Sequence, residues 1–263
     1  ELAPHFDHQH GGFGRAPKFP QPMIYEFLLR YHLLSGDPMS IEMVELTLDR
    51  MAQGGMYDQV GGGFHRYSTD PYWLVPHFEK MLYDNALLSS LYLHAFQATG
   101  RPLYRKICQE ILDYVVREMT DPAGGFYSSQ DADSEGEEGK FFVWTPEEIN
   151  QILGPENGPL IAQYFGVTPN GNFEDCNILT VLQETEPFAR ANGISTAEMD
   201  RRLGYARTLL LEARSQRVHP SRDEKILSGW NGLMLRSFAE AAAVLGRNDY
   251  RRIAIETATF LLR

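Results

Sequence analysis

Only two of the 263 residues are cysteine, Cys108 and Cys176, and no C-x-x-C pair occurs. That is too few thiols for a disulfide framework, and it fits a reducing, cytoplasmic compartment. Basic residues are also scarce: 24 Lys+Arg stand against 35 Asp+Glu, a formal charge of −11. This balance argues against nucleic acid as a partner, because a sequence-independent nucleic-acid surface needs clustered cations. No apolar run approaches the roughly 18–20 residues of a membrane span, so no membrane association is expected. The opening ELAPHFDHQHGG lacks the charged and apolar regions of a signal peptide and reads like a chain entered in its middle. Nucleophile and nucleotide signatures are missing: there is no G-x-S-x-G elbow, no P-loop and no G-x-G-x-x-G before a helix. His5, His8 and His10 have metal-like spacing, but no matching Cys/His set follows. They read as mobile terminal residues, and neither a metal nor a cofactor is implied.

What the chain does contain is an internal repeat. Gly100-Arg101-x-x-Tyr104 recurs 146 positions later as Gly246-Arg247-x-x-Tyr250, each between apolar-periodic, alanine-rich flanks. A weaker copy at 31–53 places Gly36 where Gly100 stands. Each copy predicts a helix, a glycine break in a left-handed C-cap and a second helix. The first two copies then run into a double glycine with an aromatic, Gly54-Gly55-Met56-Tyr57 and Gly124-Gly125-Phe126-Tyr127. Such units bury their faces against neighbours, so the pattern predicts an arc of helical hairpins and a mainly α fold.

Helices are expected near 21–34, 40–53, 77–98, 102–119, 146–153, 157–165, 197–215, 228–245 and 248–262. Pro76 and Glu79 suit a helix start near 77. Residues 125–128 and 140–144 read as strands around an acidic loop, hence a small inserted β-hairpin, and 177–181 as a third short strand. Residues 130–186 hold 12 acids against one base, while 201–263 hold 12 bases against six acids. The acidic segment is either a solvated region complemented by basic helices or the wall of a cleft for a polar ligand.

Three stretches hold the chemistry. In the first, Gly61-Gly62-Gly63 precedes His65 and Arg66, followed by Trp73, His77, Glu79, Lys80, Tyr83, Asp84 and Asn85. With Tyr57 nearby, this collects imidazoles, carboxylates, cations, an amide and aromatic platforms, the groups a sugar-like ligand and proton transfer require. On a helix, Lys80 would face Asp84, and Glu79 would face Tyr83. The alternative is a polar network that pins a glycine-rich loop onto a helix start. The second stretch, Asp131 to Gly139, begins like a calcium loop, with Asp131, Asp133, Glu135 and Gly136. Phe142 then stands where a bidentate Glu belongs, so it is no EF-hand. An irregular cation site, a carboxylate pair and an exposed turn all stay open. In the third stretch, Asp223, Lys225, Trp230 and Asn231 lead into a helix start and either face a cavity or only shape the turn.

GGFGRAPKFP (11–20), GGMYDQVGGGFHRYSTDPYWLVPHFEKMLYDNALL (54–88), GGFYSSQDADSEGEEGKFFVWTPEEI (124–149) and DEKILSGWNGLML (223–235) together resemble the family that includes spermatogenesis-associated protein 20. The resemblance implies an (α/α)6 toroid of the six-hairpin-glycosidase or N-acylglucosamine 2-epimerase type. In the intact family protein a thioredoxin-like domain precedes it, and that domain is absent from this sequence. It further implies a funnel mouth lined by inter-helix loops, and that 1–263 is a single incomplete ring. The chain departs from the family pattern at Glu224 and at Phe173-Glu174-Asp175-Cys176, which weakens any role for those positions.

Two functions are expected from these features. One is a sugar epimerase, isomerase or glycosidase-like enzyme. His65, His77, Glu79, Asp84, Asp131 and Asp133 would do acid–base work, while Tyr57, Arg66, Trp73, Lys80, Tyr83, Asn85, Asp223, Lys225, Trp230 and Asn231 bind substrate. This requires His65, His77 and Asp133 to line one cavity. The other is a binding or scaffold module serving the thioredoxin-like domain, with glycine loops packed tightly and no ligand-sized space among them.

Overall fold

The computed structural model describes residues 2–263. A short 3-10 turn at Ala3–His5 leads into α1 (Pro22–Ser35) and α2 (Pro38–Gln53). Three two-residue strands follow, β1 (Tyr67–Ser68), β2 (Pro76–His77) and β3 (Lys80–Met81), and then α3 (Leu82–Thr99) and α4 (Pro102–Glu118). Next come β4 (Ser129–Gln130), β5 (Asp133–Ser134), β6 (Glu137–Glu138), α5 (Pro146–Tyr164), α6 (Thr185–Ala191) and α7 (Thr196–Arg214). The described chain closes with β7 (Arg222–Asp223), α8 (Ser228–Leu245) and α9 (Asn248–Leu261).

The fold is mainly α and of the (α/α) hairpin type. Hairpins α1/α2, α3/α4 and α8/α9 stand side by side, with α3 packed on both α1 and α8. Eleven of the 18 residues of α3 are buried, because it is covered by neighbours on most of its circumference. Gly36, Gly100 and Gly246 end the first helix of each hairpin with φ of 72°, 70° and 69°, the left-handed C-cap read from the repeat. The repeated Arg and Tyr staple each hairpin to the one before it. Arg101 bonds Asp49 of α2 at 2.8 Å, and Tyr104 donates to the Glu45 carbonyl at 3.4 Å. In the next copy Arg247 reaches Asp113 of α4 at 3.3 Å, and Tyr250 donates to the Gln109 carbonyl at 3.2 Å.

One apolar core runs under this arc, a second lies beneath α5–α7, and a small third one sits under the inserted hairpin. Basic α7 and its C-terminal turn face the acidic segment, with Arg202 on Glu156 at 3.1 Å and Arg217 on Glu148 at 3.2 Å.

Several local expectations are corrected. The helix expected from 77 begins at Leu82, because 76–81 is extended and paired: Tyr67 faces His77, and Lys80 faces Gln130. The inserted hairpin lies within the acidic segment itself, β5 against β6, turning through Glu135 and Gly136 at φ 55° and 79°. Residues 140–144 form no strand with 125–128. Arg217 satisfies the Phe141 and Val143 carbonyls at 2.9 and 2.8 Å, so this buried segment needs no strand partner. The third strand reduces to a single bridge between Trp144 and Asn177, and α6 had no forecast. The histidine-rich start is tied down and not free. Lys18, fully buried, bonds Asp7 at 2.8 Å, and the Trp73 indole donates to the His10 carbonyl at 2.9 Å.

α1, α3 and α8 share one titratable contact. His94 donates to Glu26 at 2.6 Å and lies 3.4 Å from Glu240, and these carboxylates raise its pKa above the ordinary 6.5. A raised folded-state pKa means the contact stabilises fully below the unfolded value and is lost as pH rises through the folded one. His94→Gln should therefore narrow the difference in melting temperature between slightly acidic and slightly alkaline buffer, by the equivalent of under about 1 kcal/mol. An unchanged difference would show that the contact is solvated.

Candidate functional site at the mouth of the arc

The glycine-rich loop rests on a buried ionic cluster. Asp58 accepts both guanidinium arms of Arg214 at 2.9 Å and the Lys80 ammonium at 2.8 Å. All three side chains are almost wholly buried. Lys80 also donates to the Gly62 carbonyl at 2.9 Å and lies over the Tyr114 ring at 4.3 Å. Burial disfavours the Asp58 carboxylate, but Arg214 and Lys80 outweigh it and hold its pKa well below normal. Burial pulls Lys80 down to about 8 despite Asp58. A Cβ on Gly61 would stand 2.1 Å from the Arg214 guanidinium, and one on Gly62 would stand 2.5 Å from the Glu110 carbonyl. Only glycine lets the loop close over these groups.

His65 belongs to this interior. Its Nδ1–H donates to the Phe78 carbonyl at 2.7 Å, and Phe78 and Phe142 meet the ring edge-on. Burial, with Lys80 adding to it, pushes its pKa down to about 3, so it is neutral near pH 7. It borders a small void of about 20 Å³, which neither His77 nor Asp133 reaches. The expected common cavity of these three residues is not formed.

The extended backbone at 76–81 decides what faces outward. Pro76, Phe78 and Lys80 are buried, while His77 and Glu79 alternate to the opposite side. Lys80 and Asp84 are therefore not helical neighbours. On the outer side Glu79 bonds Arg66 at 2.9 Å, with His77 at 3.7 Å, and His77 donates to Glu138 of the inserted hairpin at 2.7 Å. Tyr83 and Asp84 enter from the first turn of α3. Trp230, from the start of α8, meets Tyr83 edge-to-face at 4.8 Å. Asp84 is 7% exposed, and its Oδ2 has no hydrogen-bond partner. Burial raises its pKa to about 7, against the pull of Arg66. A helical turn further along α3 and α8, Leu87 and Leu233 line a concave cavity of about 250 Å³ with Met23, Phe27, Arg30 and Arg236.

The remaining candidates lie elsewhere. Asn85 clasps Phe64, accepting from its N–H at 2.8 Å and donating to its carbonyl at 3.0 Å. Asn231, at the 146-residue offset of the repeat, does the same to Phe126 at 2.7 and 2.9 Å. Trp73 is buried against the N-terminal segment. Tyr57 donates its buried hydroxyl to Glu110. Asp131 holds Ser221 at 2.9 Å, Asp133 is exposed on β5, and Asp223 pairs with Lys225 on the surface at 3.1 Å. Among the described residues no group of three or more His, Cys, Asp or Glu is placed to hold a metal ion. Sequence reasoning missed Asp58 and Arg214. Asp58 sits between two glycine runs, which was a usable signal, but nothing local marks Arg214, 156 positions away.

The structure thus defines a fold of packed helical hairpins, with a polar, aromatic-edged cluster beside the starts of α3 and α8. No protein-family model matches the chain. Over 98% of its length it is 40% identical to human spermatogenesis-associated protein 20, and it spans 36% of the human protein. Among solved structures it is similar to cellobiose 2-epimerase from Bacillus thermoamylovorans, at 13% identity and TM-score 0.45, covering 99% of this chain and 67% of that one. A family 76 glycoside hydrolase from Bacteroides thetaiotaomicron gives 14% identity and TM-score 0.41, covering 90% of this chain and 45% of the other.

Proposed function

We propose that the mouth of the arc binds a small, polar, sugar-like ligand, with Asp84 as the acid–base group. The observation that carries this is Asp84 itself: a carboxyl buried at a helix start, one oxygen unpartnered, and a pKa of about 7. Buried polar atoms are normally satisfied, and a carboxyl half-protonated near neutrality suits proton transfer in either direction. Tyr83 and Trp230 supply aromatic faces, Arg66 and Glu79 supply hydrogen bonds, and His77 is a second proton carrier within reach of Glu79. The epimerase, isomerase or glycosidase reading built on His65, His77 and Asp133 falls with their missing common cavity; ligand binding with proton transfer at Asp84 is proposed in its place. The free thiols of Cys108 and Cys176 support a reducing, cytoplasmic setting.

A thermal-shift screen with monosaccharides, disaccharides and sugar phosphates tests this reading. A binder at about a hundred times its dissociation constant should stabilise by about 2.7 kcal/mol, and Trp230→Ala or Arg66→Gln should remove most of the shift. If no sugar stabilises the protein, the ligand reading fails.

A second reading, a scaffold that works beside the thioredoxin-like domain of the family, is favoured by one observation. The glycine loops leave no space, since a Cβ on Gly54 or Gly55 would stand 2.2 or 2.1 Å from the backbone of 73–74. The same null screen would favour it.

A further inference from the structure

A cleft of about 250 Å³ lies between α4 and α5–α7. Leu103 and Ile107 of α4 form one wall, and Phe165, Val181 and Leu203 form the other. At one end three elements meet. Glu110 of α4 accepts from the Tyr57 hydroxyl on one carboxylate oxygen and from Arg207 of α7 on the other. Each oxygen of Glu110 thereby has a donor, while Arg207 keeps donors to spare. Its Nε is buried with no partner, and only one of its terminal nitrogens is engaged. Lys106 stands 4.0 Å from Glu110, 60% exposed, at the same end. Two cations face one carboxylate there, leaving one positive charge and unspent N–H donors at the end of an apolar slot.

At the other end Arg101 is already neutralised by Asp49 at 2.8 Å, and Glu184 lies beside that pair. The cleft is therefore positive at the Arg207 end only, which fixes the direction in which a polar-headed ligand would lie. A guanidinium edge offering two adjacent N–H groups matches a carboxylate best. Apolar pockets with a few convergent polar groups are the usual form of small-molecule sites.

We propose that this cleft binds a small monocarboxylate with an apolar body, its carboxylate on Arg207 and Lys106 and its body between Leu103 and Leu203. This site is separate from the mouth of the arc and does not depend on the function proposed there.

Isothermal titration of the protein with hexanoate, and with hexanol as the uncharged match, tests it. Hexanoate is expected to bind at least about tenfold more tightly than hexanol, the worth of a charge-assisted hydrogen bond. Lys106→Gln, on an exposed side chain and so harmless to the fold, should weaken hexanoate several-fold while leaving hexanol unchanged. Leu103→Trp, which fills the slot and leaves every charge in place, should abolish binding of both. Arg207→Gln should remove the preference for hexanoate, with circular dichroism confirming that the variant is folded. No binding of hexanoate by the folded protein would overturn the proposal. So would binding that survives Leu103→Trp, or equal affinity for acid and alcohol.

Discussion

Asp58→Asn is expected to destabilise the protein by about 3–5 kcal/mol, the largest effect of any single charge removal in the molecule. The substitution keeps the shape of the side chain but leaves Arg214 and Lys80, both nearly inaccessible to solvent, without their shared anion. In a low-dielectric interior the cost comes from the stranded cations more than from the lost attraction. The midpoint of urea denaturation measures it. A loss below about 1 kcal/mol would mean that water reaches the cluster. A triple variant, Asp58→Leu with Lys80→Met and Arg214→Met, separates the two costs. It should recover much of the loss, because no charge is then left buried.

Acid sensitivity through His65 is the second large effect. Its pKa falls from 6.5 to about 3 on folding, chiefly by burial. The unfolded chain therefore takes up a proton between those values while the folded one does not. Folding loses about 1.4 kcal/mol for each pH unit through that window. Of the titrating groups facing His65, Lys80, pulled down only to about 8, stays charged there, and Asp58, held well below its ordinary 3.8, contributes only under about pH 4. Asp84 works in the opposite direction, since its raised pKa of about 7 favours the folded state as pH falls. The wild-type profile alone therefore mixes two signs, and the difference between variants is the diagnostic quantity. His65→Asn retains a donor for the Phe78 carbonyl and cannot titrate. Relative to wild type it should gain stability steadily as pH falls from about 6.5 to 4.5. A constant difference would show that His65 titrates normally and that its ring is reached by water.

Both effects concern residues whose roles were only half legible beforehand. The sequence held His65 and Lys80 as candidates for chemistry, with a loop-pinning network as the alternative, and both lie in such a network. The decisive detail is backbone period. Helical geometry at 77–81 would have placed Glu79 and Lys80 on neighbouring faces. The extended backbone turns Lys80 inward to Asp58 and Glu79 outward to Arg66. That choice rests on pairing with β1 and β4, and β4 lies some fifty residues further along the chain. Asn85 and Asn231 show the converse. Their common offset in the repeat was visible, but the task they share, clasping the backbone of an aromatic residue after a glycine pair, was not.

The sequence by itself determined the hairpins, because helix breaks, apolar period and the Gly-Arg-x-x-Tyr repeat act within a few turns of chain. It also marked the Gly61-Gly62-Gly63 run as a place where something could approach closely. What approaches it, and which of the polar residues beside it face solvent, was decided only by tertiary structure. Asp58 meets Arg214 across 156 positions, and Asp84 acquires its raised pKa from burial beneath neighbouring elements. Contact and desolvation are properties of the packed molecule, and no local pattern encodes them.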